Sequence, residues 1–138
     1  MTDETAAREL YDNAIVIDGL NVSNWDSPAV FRSLRNGGVT AINATIATWE
    51  NTLQTMDHVA AWRARFAAYR DKVIQVRSVD DIEEAKREGK TGVILGLQNA
   101  SPIENHLDRL ALFHDLGVRI IQVTYHERNL LGDGCYER

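Results

Sequence analysis

GVILGLQNASPIENHLDRLALFHDLGVRIIQVTYHERN, residues 92–129, contains a complete strand–helix–strand unit. Val93, Ile94, Leu95 and Leu97 form a short apolar run rich in β-formers, the composition of a strand buried on both faces. The polar pair Gln98 and Asn99 ends it. Ser101 reads as an N-cap, Pro102 sits where a missing N–H costs nothing, and Glu104 completes a Ser-x-x-Glu capping box, so a helix is predicted to begin here. Its inner stripe is Ile103, Leu107 and Leu110, with Ala111 and Phe113 flanking, and Gly117 after Leu116 is a left-handed terminator. Val118–Val123 returns as a strand. A helix of this length between two such strands makes a parallel, right-handed crossover, which predicts Gln98 and Tyr125 side by side at the carboxyl ends of neighbouring strands. In parallel α/β folds that edge carries the chemistry.

Working outward, the same alternation recurs. Thr2–Asn13 reads as a short leading helix, and Ala14–Gly19 (AIVIDG) as a buried strand closed by an Asp-Gly turn. A helix carrying Val30, Phe31 and Leu34 stops at Gly37-Gly38, and Val39–Thr48 is the next strand. From Glu50 to Asp71, Met56, Val59, Trp62, Phe66 and Tyr69 recur by threes and fours as one apolar helical stripe, read as core packing. Val73–Val76 is a short strand. Ser78 then caps a helix whose first turn holds Asp80 and Asp81 and whose last holds Lys86 and Arg87, matching the macrodipole, before Gly89 ends it.

Alternating strands and helices without a linker or repeat select a single α/β domain with a mainly parallel sheet. Two architectures fit: an open, flavodoxin-like sheet, favoured by the length of 138 residues, and part of a TIM-like (β/α) barrel, whose complete form needs about 250. The tail YHERNLLGDGCYER is polar and Gly-rich and supplies no closing helix, which favours an interrupted barrel. A net charge of −5 without a Lys/Arg cluster argues against nucleic-acid or anionic-membrane partners. No apolar run approaches the ~20 residues of a transmembrane helix. The acidic, polar beginning and the single Cys135 are read as cytoplasmic.

Asp18-Gly19, then Gly89-Lys90 leading into Leu95-Gly96-Leu97-Gln98-Asn99, then Leu116-Gly117-Val118-Arg119 leading into Thr124-Tyr125, resemble the membrane (renal) dipeptidase family of the amidohydrolase superfamily. The resemblance spans nearly the whole chain and covers about the N-terminal half of such an enzyme. It implies a single partial domain, 1–138, forming the first half of a TIM-like barrel, from a fragment or truncated gene product. It also implies a zinc-dependent hydrolase of dipeptides, with two metals polarising the carbonyl and generating a hydroxide. The family's strand-one motif, Asp-Gly-His-Asn-Asp, here reads Asp18-Gly19-Leu20-Asn21-Val22, so both metal-ligand positions are aliphatic. The bridging glutamate falls at Gln98, and the substrate-contacting histidine at Tyr125, with His126 one place on and expected to point the other way. Two further histidine ligands would lie outside this chain. Zinc is therefore expected for the family and absent or weak here.

The remaining polar residues have plainer readings. His58 and His106 read as solvated, and His114 as partly buried on the inner stripe near a helix C-terminus. Cys135 reads as an inert thiol without an adjacent base, and Asp18 as a turn cap. The primary reading is a dipeptidase-like metallohydrolase, or part of one, acting on a dipeptide or small amide. The alternative is a non-catalytic member that binds a small polar metabolite without metal through Asn21, Gln98, Asn99, Tyr125 and His126. Homo-oligomerisation is expected from unpaired strand edges. An independent flavodoxin-like module ranks last, because Gly19-Leu20-Asn21-Val22 lacks a phosphate-binding glycine pattern.

Overall fold

In a computed structural model, residues 3–137 are described, and α1 (Asp3–Asn13) leads the chain. The expected helix start at Thr2 lies outside the described residues. There follow β1 (Ile17–Asn21), α2 (Pro28–Asn36), β2 (Ala41–Ala47), α3 (Thr52–Ala68), β3 (Val73–Gln75), α4 (Val79–Glu88), β4 (Thr91–Leu97), a 3-10 turn (Ser101–Ile103), α5 (Arg109–Asp115) and β5 (Val118–Ile121).

All strand pairings are parallel, as the alternation predicts. β2 pairs with β1 on one side and β4 on the other. The far edge of β4 is shared: its amino end pairs with β3 from Val73↔Thr91 to Gln75↔Val93, and its carboxyl end pairs with β5 from Leu95↔Val118 to Leu97↔Ile121. The walk β1-β2-β4-β5 is therefore a run of consecutive barrel staves, with β3 filling the edge below β5. In a flavodoxin-like sheet β1 would lie inside; here it is at the edge, which overturns that alternative.

Residues paired across parallel strands point to the same face. Ile42, Ala44, Val93 and Leu95 thus share one face, and Phe31 of α2, Val59 and Trp62 of α3 and Phe113 of α5 close over it as the core. Asn43, Thr45, Gly92 and Gly96 share the other. Gly92 lies against α4 on that face, because a Cβ there would stand 2.7 Å from Val76, 3.4 Å from Ala41 and 3.5 Å from Ala85. The connection from β3 to β4 steps back toward β2. A right-handed crossover taken in reverse puts its helix on the opposite face, so α4 covers the amino-terminal half of the inner wall, and no helix among the described residues covers the carboxyl half.

Several local signals act as read. Ser78 caps α4, in a reciprocal box with Asp81, and Asn51 with Gln54 forms a like box on α3 that the sequence reading did not include. The Arg77 amide first, then the Ser78 amide and hydroxyl, hold the Asp81 carboxyl below its usual range against the opposing effect of burial. Gly89 and Gly117 adopt positive φ, 63° and 103°.

Three expectations are corrected. β1 starts at Ile17 and is not a buried strand: Ile17 and Leu20 are exposed, since an edge strand has one neighbour and little above it. The Ser101 capping box does not form. Glu104 N–H bonds to the Ser101 carbonyl in a 3-10 turn, and the Glu104 carboxylate turns away to Thr52 and Arg109, with its backbone at φ 52°. α5 consequently begins at Arg109, Leu107 is 70% exposed and Leu110 43%, while Phe113 alone of the predicted set in α5 reaches the core. His114 is also exposed, not half-buried on an inner stripe.

Candidate active site

The parallel order brings the ends of β1, β2, β4 and β5 to one edge, and the candidate residues all follow those ends. At β1, Asp18 accepts from Leu20 N–H at 3.1 Å and from Asn21 Nδ2 at 2.8 Å, so it caps the turn as read. Asn21 Oδ1 accepts from Ser23 N–H at 3.0 Å, which makes Asn21 part of the turn. Leu20 and Val22 stand 52% and 70% exposed beside it. Across the inner wall, Asn43 of β2 donates from Nδ2 to the Gly19 carbonyl at 3.0 Å. That acceptor fixes the amide's orientation and leaves Oδ1 buried without a partner among the described residues. Gly96 makes room for it, since a Cβ at 96 would run into Asn43 Oδ1.

Gln98 follows β4 and is buried. Its Nε2 donates to Thr45 Oγ1 at 2.7 Å, tying the ends of β4 and β2 together. Asn99, also buried, accepts from Asn129 Nδ2 at 2.7 Å, and Asn129 reaches back to the Val123 carbonyl as well, fastening the tail over the end of the sheet. Glu50 closes β2 by accepting from Thr48 N–H at 2.6 Å and Trp49 N–H at 2.9 Å. Burial raises its pKa, but the amides of Thr48, Glu50 and Trp49, with His58 nearby, outweigh this and keep the carboxyl below its usual range. His58, though exposed as expected, places Nδ1 2.6 Å from the Ile46 carbonyl.

Tyr125 lies past the end of β5, the neighbour of the strand that Gln98 follows, and its ring packs on other rings. It meets Trp49 edge-on at 5.3 Å and stacks on His126 at 4.0 Å with an 18° interplanar angle. The expectation that His126 turns away from Tyr125 is overturned because strand alternation stops at Ile121, and the loop beyond has no two-residue period. Tyr136 packs on His126 at 4.6 Å. Sequence reasoning missed Trp49, Tyr136, Asn43 and Thr45. The first could have been found from its place directly after the second strand.

The sequence pattern of membrane dipeptidases, peptidase family M19, matches residues 5–138. The chain belongs to that family. No curated protein matches it. An amidohydrolase from Pseudomonas aeruginosa superposes with a TM-score of 0.92 at 42% identity over 95% of this chain and 40% of its own. The probable dipeptidase PvdM from the same organism gives 0.78 at 16% identity, over 91% of this chain and 38% of its own. A metallopeptidase from Rhodobacter sphaeroides liganded with a phosphinate mimic of the dipeptide L-Ala-D-Ala gives 0.67 at 16% identity, over 79% and 45%. The chain thus spans less than half the length of these relatives and carries part of a TIM-barrel fold. No helix among the described residues is long and apolar enough to cross a membrane.

M19 is a metallopeptidase family, so the donor set at this edge decides how far its chemistry carries over. Leu20 and Val22 have no donor atoms, and Gln98 offers a neutral amide whose nitrogen is already used by Thr45. Zinc takes nitrogen, sulfur or carboxylate ligands, and two dications need an anionic bridge between them. These three positions do not fit a dinuclear zinc centre.

Proposed function

We propose that this chain is one part, a partial domain, of a dipeptidase-like hydrolase whose substrate is a dipeptide or small amide bound at the carboxyl mouth of the barrel. The observation that carries the reading is the convergence of Asn21, Gln98, Asn99, Tyr125 and His126 on one sheet edge in an M19 chain. What these residues do follows from their bonds. Gln98 and Asn99 lock the wall through Thr45 and Asn129, Asn21 and Asp18 shape the loop after β1, and the Tyr125 and His126 rings line the rim. A second reading is favoured by the same geometry: with aliphatic side chains at Leu20 and Val22 and Gln98 bonded to Thr45, the edge binds a small polar ligand through hydrogen bonds without metal and without turnover.

The gene product carrying this chain, assayed with L-Ala-D-Ala and related dipeptides in the presence of zinc, is expected to release free amino acids. Saturable dipeptide binding with no release, in chelator-washed and zinc-loaded protein alike, would replace hydrolysis by the binding reading. Elemental analysis supplies the link to metal. The triple variant Leu20→His, Val22→Asp, Gln98→Glu is expected to hold more zinc per chain than the parent, and equal metal content would mean that the site has diverged beyond these positions.

A further inference from the structure

The rim of the sheet edge carries four mutually packed aromatic rings drawn from three separate segments. Trp49 follows β2, Tyr125 and His126 follow β5, and Tyr136 comes from the tail. The inner pair is half-buried, whereas Trp49 is 53% and Tyr136 71% exposed, so the outer rings present their surfaces to solvent. Leaving two large rings in water is unfavourable by the area rule, and nothing in the core needs them there.

Each of the three segments places a glutamate directly after its ring: Trp49-Glu50, His126-Glu127 and Tyr136-Glu137. Glu50 is held ionised by the amides it accepts, and Glu137 Oε1 accepts from Arg128 N–H at 3.2 Å. Glu127 is exposed. Among the described residues, the cation of the same tail, Arg128, is paired with Asp133. Aromatic faces are the negative ends of ring quadrupoles, and ionised carboxylates add to that potential, so ring and rim favour the same sign of ligand.

We propose that the Trp49–Tyr125–His126–Tyr136 cluster is a recognition site for an organic ammonium group, and that the protein takes ligands bearing such a cation at the mouth of its barrel. This deepens the reading of the edge as a small-molecule site by naming the charge of the ligand portion that sits at the rim, a basic side chain or a free amine. It needs no metal and no covalent step.

The test uses the gene product carrying this chain with choline and its neutral isostere 3,3-dimethylbutan-1-ol, followed by the indole N–H resonance of Trp49 in NMR titrations. Choline is expected to bind saturably and about 2- to 30-fold more tightly than the neutral isostere, the range of a cation over aromatic faces. Trp49→Leu and Tyr136→Leu should each weaken choline binding, read from the remaining ring resonances, while Tyr136→Phe, which keeps the ring, should retain it. Both side chains are exposed, and unchanged circular dichroism checks that the variants fold. Equal affinity for choline and the neutral compound, no saturable shift with either, or loss of binding in Tyr136→Phe would overturn the proposal. Because neither probe is a dipeptide, failure of the hydrolase reading leaves this outcome unaffected, and an L-Ala-D-Ala assay that succeeds with no choline site would sink the ammonium proposal alone.

Discussion

β4 and β1 read alike in the sequence, as short apolar runs ending in a polar pair or an Asp-Gly turn, yet they live in opposite environments. All seven residues of β4 are buried, between β2 on one side and β3 and β5 on the other, with helices on both faces of its amino half. β1 has one neighbour, and Ile15, Ile17 and Leu20 are 47%, 49% and 52% exposed. Local apolarity says that a segment prefers burial. Whether the preference is met depends on how many strands and helices arrive beside it, which is a property of the topology.

The largest consequence of this contrast concerns association. With the outer edges of β1 and β5 unpaired among the described residues and apolar side chains standing on β1, the isolated chain is expected to self-associate. Sedimentation decides: a single monomeric species across the micromolar range would show that the exposed edge of β1 carries no such liability.

Next in size is truncation within each strand. Leu95→Ala on β4 removes a side chain 1% exposed and is expected to cost about 2–5 kcal/mol. Leu20→Ala on β1 should stay within about 0.5 kcal/mol. Denaturant unfolding measures both, and equal losses would mean that β1 is covered in solution.

A third test asks whether the two strands are coupled through Asn43, whose amide bonds to Gly19 after the start of β1 while its oxygen sits over Gly96 of β4. Gly96→Ala drives a methyl into that oxygen, and overpacking of this kind costs about 1–3 kcal/mol. Asn43→Ala in the Gly96→Ala background should recover part of the loss. A double variant that is no better than the sum of its singles would show that the strands are not linked there.

The smallest effect is a pH dependence in the loop beyond β4. Arg109, at 2.5 Å, and Thr52 hold the Glu104 carboxyl down at about 2 from 4.5. A carboxyl depressed in the folded state contributes stability above its unfolded pKa and loses it as pH falls toward the folded value. The melting temperature of Glu104→Gln should therefore lie below that of the parent at neutral pH, and the gap should close between pH 4.5 and about 2. A gap constant over that window would mean that the carboxylate's charge does not hold the loop.

Much of this was legible in residue order alone. The alternation of elements, the parallel sheet, the Ser78 cap, the Gly89 and Gly117 terminators and the stripe of Val59 and Trp62 follow from short-range periodicity and from backbone freedom that only glycine has. Asp18 as a turn cap is of the same kind, because its partners are two and three residues away. Membership of the dipeptidase family was legible as well, because its motifs lie in residue order and type.

What only the tertiary structure decided involves partners distant in sequence. Ser101 and Glu104 have the spacing of a capping box, but Thr52, 52 positions away, and the nearer Arg109 take the carboxylate, and the guanidinium adds a full cation that a backbone amide lacks. β1 is exposed because the chain order leaves it at an edge. Tyr125 stacks on His126 and meets Trp49 because a loop freed from strand alternation can fold its rings together. Residue type and spacing determine what a segment can do; which of its options is used depends also on free energies contributed by groups about 50 or more positions away, such as Thr52 for Glu104 and Thr45 for Gln98, and those become known only when the chain has closed on itself.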